Sequence, residues 1–245
     1  VFFIDDKQGV RHQEIGNSAF IRKAAGKFNA SVEEVELLSQ FRCMGSNNYL
    51  EWIESVLGYT DIKKTLKKSE IFDFRILGSL SELYAELKKK EEEKTNSARL
   101  VAGYCWPWHD PRPDGTLVND VKIGEFEMPW ETKGEHAVGE YPVWYQWAYK
   151  PNGFRQVGCI YTAQGFEFDY IGVIIGPDLK YNKEANKLSG DMSETKDPTL
   201  RRDPANFETY MKNIYRVLLT RGMKGCYVYF TDKGTEEFFR SRMEA

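Results

Sequence analysis

Apolar positions fall into two kinds of run along the chain. Val1–Ile4, Phe72–Leu77, Leu100–Cys105, Val157–Thr162, Ile171–Ile175 and Cys226–Phe230 are short and nearly continuous, as buried strands are. The last four read as central strands covered on both faces, which implies a mainly parallel sheet. Between these runs the pattern takes a helical period. Ser18–Lys27 is expected to be a helix, and so is Asn47–Leu57, with Tyr49, Leu50, Ile53 and Leu57 on one face. Ser79-Leu80-Ser81-Glu82 is a capping box for a helix reaching Lys90, and Lys88–Lys94 is its solvated, charged end. Asp203-Pro204 is a cap and first-turn pair for a helix carrying Tyr215–Arg221, and Thr235 is expected to cap a last helix through Arg242. The alternation predicts an α/β fold.

Two segments break the alternation. The stretch 107–151 holds Trp108, Trp130, Trp144 and Trp147 among several prolines, and 180–202 is polar and rich in Lys, Asp and Ser. Both read as insertions between strands, the second as a mobile loop. The aromatic insertion could stack unpaired bases, but a long irregular loop also needs aromatic anchors simply to pack.

Composition narrows the picture only a little. With 245 residues, 41% hydrophobic and 14% aromatic, the chain can bury a substantial core. A formal charge of −3 gives no global attraction to nucleic acid, so such binding needs a local groove of basic and aromatic groups. Cys43, Cys105, Cys159 and Cys226 are widely spaced and mostly in apolar runs, which suits reduced core thiols, and no metal site is expected from them. No apolar stretch approaches the roughly 18 residues of a membrane span, and a cytoplasmic location is expected; Asn29-Ala30-Ser31 is then a chance glycosylation pattern.

Candidate chemistry starts at Tyr215–Gly222, an apolar helical face that delivers Arg221 into a glycine turn. An arginine fixed at a helix end has the fork of donors that a transferring phosphate needs, although most such arginines are solvated or paired with the helix dipole. Three more segments stand in order before it: Phe2–Gln8, Leu38-Ser39-Gln40-Phe41-Arg42, and Tyr161–Tyr170 with its Thr-Ala-Gln-Gly-Phe-Glu core. Together they resemble the later motifs of superfamily 1 helicases: the sensor motif ending in Asp-x-x-Gln, the Gln-aromatic-Arg motif, the Gln-Gly-x-Glu-Phe motif and the Thr-Arg motif. With Arg11–Gly16, Ala102–Trp108, Gly158–Asp178 and Gly222–Tyr227, nearly the whole chain is similar to the bacterial Schlafen group 3-like helicase family.

That resemblance implies the fold and the roles. The chain is expected to form a RecA-like second motor lobe over 31–245, with residues 1–30 as the end of the first lobe. ATP would sit between the lobes with Mg²⁺, the missing N-terminal ATP-binding lobe supplying the phosphate loop and metal ligands. Gln8 matches the sensor glutamine and Asp5 its partner; Ile4 stands where glycine is usual, which leaves that turn open. Arg42 and Arg221 match the cleft arginines, each expected to lie in the cleft and outside the core. Gly165 permits a tight turn, Glu167 matches a nucleotide contact, and Thr162 and Gln164 face the nucleic-acid track, with Trp108 expected beside them. Glu167 pairing with a nearby base is the structural alternative, and Lys224 is either an accessory phosphate contact or a solvated turn lysine. Gly-x-x-x-x-Gly-Lys-Ser/Thr is absent, and Val1 begins inside an apolar run without an initiator Met, so the sequence reads as a C-terminal fragment, inactive alone. The expected activity of the parent is that of an ATP-dependent DNA or RNA helicase acting on single strands. An ATP-gated switch, or a clamp without strand separation, keeps the same arginines and stays open.

Overall fold

Val101 points to one face of the central sheet and its neighbours Leu100 and Ala102 to the other, and the same alternation runs through the strands beside it. This period of two, with both faces apolar, is what a parallel sheet covered by helices on each side requires. The structure, a computed structural model, describes residues 1–11, 17–36, 42–68 and 71–244, the Arg42 side chain lying outside that description.

Among the described residues, elements follow in the order α1 (Ser18–Lys27), α2 (Asn47–Val56), β1 (Asp73–Ile76), α3 (Leu80–Glu93), β2 (Ala98–Ala102), β3 (Val121–Ile123), β4 (Phe126–Met128), β5 (Val157–Gly158), α4 (Ile160–Ala163), β6 (Phe168–Ile175), β7 (Leu179–Asn182), β8 (Lys187–Gly190), α5 (Phe207–Leu219), β9 (Gly222–Phe230) and α6 (Lys233–Arg240). Five strands pair in the order β1-β9-β6-β2-β5, every pair parallel. The fold is α/β and consistent with a RecA-like lobe.

Helices α2, α3, α5 and α6 cover the sheet because each carries one apolar stripe. Leu80, Leu83 and Leu87 of α3 pack on Leu100, Ala102, Ile174 and Tyr227. On the opposite face Met211, Ile214, Tyr215 and Leu218 of α5 meet Val101, Ile171, Val173, Ile175 and Val228, with Trp52 of α2 and Phe239 of α6 completing the layer. Each fully buried Leu or Ile there contributes about 1.5–3 kcal/mol of transfer free energy. Ser79 caps α3 by accepting from the Glu82 N–H at 3.1 Å, while the Glu82 carboxylate takes the Gly78 N–H at 3.2 Å.

Several expected elements differ. Val1–Ile4 forms no strand; Val1, Phe2 and Phe3 are more than 70% exposed. Val157–Thr162 is a strand for two residues only, after which the chain turns into α4; β5 is the edge strand of the sheet, paired with β2 and bridged on its other side at Trp130. α3 runs past Lys90 to Glu93, its charged end supported by Lys90–Glu93 and Lys88–Glu92 pairs. A 3-10 turn, Pro204–Asn206, separates Asp203 from α5. Asp232 caps α6, accepting from the Thr235 N–H at 2.7 Å and its hydroxyl at 2.6 Å, so Thr235 lies inside the first turn. The segment 180–202 contains most of the antiparallel β7–β8 hairpin, and 107–151 contains the β3–β4 hairpin. Gln40 and Phe41, with 12–16, lie outside the described residues.

Candidate functional site

Three segments far apart in sequence meet at one corner of the lobe. Residues 5–9 form a 3-10 turn, Asp6–Gln8, whose backbone is set by Asp5: its Oδ1 accepts from the Lys7 N–H at 3.0 Å. Asp5 Oδ2 takes one amide proton of Gln8 at 3.1 Å and one from the Arg216 guanidinium at 3.2 Å. Burial opposes ionisation of Asp5, but the Arg216 charge, the Lys7 N–H and the Gln8 amide outweigh it and hold the carboxyl below its usual range. Arg216 also reaches Glu54 of α2 at 3.3 Å, and Lys7 meets the same carboxylate at 2.8 Å. Asn213 donates to the Gly9 carbonyl at 2.5 Å, and Gln164 donates to the Gln8 carbonyl at 3.3 Å. Gln8 Oε1 has no partner among the described residues.

The Thr-Arg segment closes this corner from behind. Arg221 is 1% exposed. Its Nε donates to the Val217 carbonyl at 3.1 Å and its NH1 to the Phe166 carbonyl at 3.3 Å, while its own carbonyl accepts from the Phe168 N–H at 2.9 Å. The expectation that Arg221 stands outside the packed interior is therefore not met: the helix end that presents it faces β6, and the guanidinium folds onto backbone carbonyls. Between these groups Gly165 turns with φ +93°, a conformation that suits glycine, and Glu167 beyond it is exposed. Lys224 meets Asp169 at 3.1 Å, sharing that carboxylate with Lys94 at 2.8 Å.

Thr162 and Trp108 lie elsewhere. Thr162 is 6% exposed, and its hydroxyl bonds Glu131 at 3.1 Å and accepts from the Cys159 N–H at 3.1 Å, so it is turned away from solvent. The Trp108 indole N–H donates to the Glu131 carbonyl at 3.0 Å, and the half-buried ring meets Tyr104 edge-on at 6.0 Å. Both belong to the packing of the aromatic insertion on the carboxyl ends of β2 and β5. Glu131 anchors that packing: Cys159 Sγ donates to its Oε1 at 2.9 Å, its Oε2 has no partner among the described residues, and burial pushes its carboxyl up to about 7. A second buried acid, Asp178, takes the Tyr215 hydroxyl at 2.5 Å and is pushed up by burial to about 6.

Residues the motifs did not single out prove central. Asn213 and Arg216 are polar residues three apart on α5, a same-face spacing that is visible in the sequence. Nothing local marks Glu54 or Glu131 as their partners or anchors. Among the described residues no group of three or more His, Cys, Asp or Glu is placed to hold a metal ion, and no helix is long and apolar enough to cross a membrane.

Comparison with known proteins bears on the same segments. The family model described as Schlafen group 3, DNA/RNA helicase domain, matches residues 1–232. The chain is also similar to the uncharacterized protein YPL245W of Saccharomyces cerevisiae (strain ATCC 204508 / S288c), with 27% identity over 263 residues covering 97% of this chain and 56% of that protein. It thus spans little more than half the length of that relative. Because the family match takes in the 5–9 turn, all five strands of the parallel sheet and the helix that joins them at Arg216, the chain belongs to the Schlafen group 3 DNA/RNA helicase domain family.

Proposed function

We propose that this chain is the second motor lobe, with the closing turn of the first, of an ATP-dependent enzyme that moves on single-stranded DNA or RNA. The observation that carries this reading is the meeting of residues 5–9, 164–168 and 213–221 through the Gln164–Gln8, Asn213–Gly9 and Arg216–Asp5 hydrogen bonds. Such a corner couples a nucleotide sensor to the turn that precedes β6, so a shift in one displaces the other.

The donors at this corner suit a terminal phosphate. Asp5 occupies one Gln8 amide proton and turns the amide so that Oε1 is left to accept from water, which is the role of a glutamine that orients an attacking water. Glu167, exposed beside the Gly165 turn, enters the reading as the nucleotide contact. Arg42 enters the same reading as the cleft arginine. Arg221, locked to two carbonyls, holds the corner rigid and reaches a phosphate only if those bonds are exchanged for it. Bound Mg·ATP supplies the cleavable phosphoanhydride, with magnesium ligands and phosphate loop contributed by a separate lobe. The apolar, exposed Val1, Phe2 and Phe3 are the surface that lobe would cover.

Steady-state ATP hydrolysis by the full-length protein, with and without a single-stranded oligonucleotide, tests the reading. Stimulation by the single strand is expected, and Arg42→Ala should lower turnover at least about tenfold with an unchanged melting temperature. Arg221→Ala should lower both turnover and melting temperature, because it removes buried hydrogen bonds as well as charge. ATP hydrolysis indifferent to single strands would favour a nucleotide-gated switch, and none at all would sink the motor.

A further inference from the structure

The tryptophans separate into two classes. Of the six in the chain, Trp52, Trp106, Trp108, Trp130 and Trp147 each donate the indole N–H to a backbone carbonyl, of Arg242, Lys122, Glu131, Pro107 and Gln156 respectively. Trp144 makes no such bond among the described residues and is 37% exposed. Tyr145 beside it is 46% exposed, and two further aromatics, Tyr149 at 49% and Phe166 at 38%, form a second exposed pair. Trp144 and Tyr145 meet edge-on with centroids 5.5 Å apart, and Tyr149 and Phe166 lie 6.3 Å apart at 39°.

The backbone of the turn that carries Tyr149 is fixed. Arg99, fully buried, donates from Nε to the Trp147 carbonyl at 3.0 Å and from NH2 to the Lys150 carbonyl at 2.8 Å, pinning both ends of the turn that carries Tyr149 to the start of β2. The Trp147 ring beneath is 0% exposed. A rigid support holding large rings in water is the arrangement of a preorganised stacking surface, since no entropy is then lost in ordering the rings on binding.

Charge and composition indicate the occupant. From Tyr141 to Phe166 the sequence contains Lys150 and Arg155 and no Asp or Glu, in a chain whose net charge is −3. Arg155 is paired with Glu140, whereas Lys150 is exposed and makes no ion pair among the described residues. The aliphatic neighbours Val143 and Ala148 are buried, so the surface offers flat rings and polar tips with no aliphatic knob for a protein partner. Phe166 stands between Gly165 and Glu167, which joins this surface to the corner described above.

We infer that Trp144, Tyr145, Tyr149 and Phe166 form a stacking platform for unpaired bases of a single-stranded nucleic acid, with Lys150 beside its phosphates. The inference rests on the motor reading and moves the stacking surface from Trp108, which is built into the fold, to the outer side of the same insertion. Stacking tolerates any base, so little sequence preference is expected.

Anisotropy with fluorescein-labelled dT20, U20 and a 20-base-pair duplex, using the full-length protein, tests it. Trp144→Ala/Tyr145→Ala should weaken dT20 or U20 binding on the order of tenfold or more, with less than about twofold change for duplex, and Trp144→Phe should recover most of the loss. Lys150→Ala should weaken single-strand binding and reduce its salt dependence. Single-strand affinity unchanged in the double variant, alongside ATP hydrolysis still stimulated by the strand, overturns the platform and leaves the motor reading intact. Wild-type protein that binds none of the three probes overturns both, and equal loss of single-strand and duplex binding in the double variant overturns base stacking. Because all four rings are exposed, an unchanged circular dichroism melt is expected to accompany the loss.

Discussion

Arg221 and Glu131 show how far burial alters what a side chain can do. A guanidinium at a helix end in water is a free cation; Arg221, 1% exposed and bonded to the carbonyls of Val217 and Phe166, is a brace between α5 and the turn before β6. Glu131 is the converse, an acid kept from ionising because water is excluded and only Cys159, Thr162 and local backbone stabilise its charge. Its folded pKa of about 7 lies above the ordinary value of 4.5. The folded state therefore binds a proton that the unfolded chain has released between those two values, and stability falls as pH rises through that window and levels off above it. Asp178 adds the same sign between 3.8 and about 6. Urea denaturation of wild type and Glu131→Gln from pH 4.5 to 7.5 should show a smaller loss of stability with pH in the variant, whose amide keeps an acceptor for Cys159 and Thr162. Parallel curves for the two proteins would mean that Glu131 titrates normally.

The N-terminal turn shows how a segment is held without a strand or helix of its own core. Residues 5–9 bury little, and α1 contributes no buried residue. What holds the turn is α5, through Arg216 and Asn213, and α2, through Glu54. Because Asp5 and Glu54 are about a third exposed, screening limits these charge pairs to about 1 kcal/mol. That is enough to shift a local equilibrium and too little to affect global folding. Arg216→Ala should accordingly raise amide hydrogen exchange in residues 5–10 severalfold while leaving β6 and β9 protected. Asp5 is depressed below its usual range, so its contribution is present at neutral pH and lost as pH falls through the folded value; exchange in the turn should rise on acidification in wild type and change less in Arg216→Ala.

Taken whole, the lobe is a sheet with two apolar faces and two polar ends. The amino ends of β2, β6 and β9 carry Lys94, Asp169 and Lys224. The carboxyl ends carry the buried acids Glu131 and Asp178 beneath the insertions. No phosphate loop pattern occurs in the sequence, and among the described residues none are clustered to hold a metal. Isothermal titration of this 245-residue chain with Mg·ATP should accordingly show no micromolar binding; a saturable isotherm at that affinity would place a complete nucleotide site within the lobe and remove the need for a second one.

Much of this architecture was legible in the amino-acid pattern. The runs at 100–105, 171–175 and 226–230 announce buried parallel strands, since a strand covered on both faces is continuously apolar, and Ser79–Glu82 announces a helix start through its own side-chain chemistry. Order along the chain also made the family visible, because four short motifs keep their sequence whatever the packing. The fate of individual groups was not legible. Val157–Thr162 is as apolar as a central strand, yet it lies at the edge of the sheet, where a single bridge to Trp130 continues it beyond β2, and it turns into α4 after two residues. Trp108 and Trp144 look alike in sequence, and only the carbonyl of Glu131 lying within reach of one indole separates a structural ring from an exposed one. Hydrophobic periodicity is a local property, read from neighbours three or four residues away. Burial, hydrogen-bond satisfaction and proton affinity are set by groups brought from tens to hundreds of residues away, as Asp5 is by Arg216, and they exist only once the chain has folded.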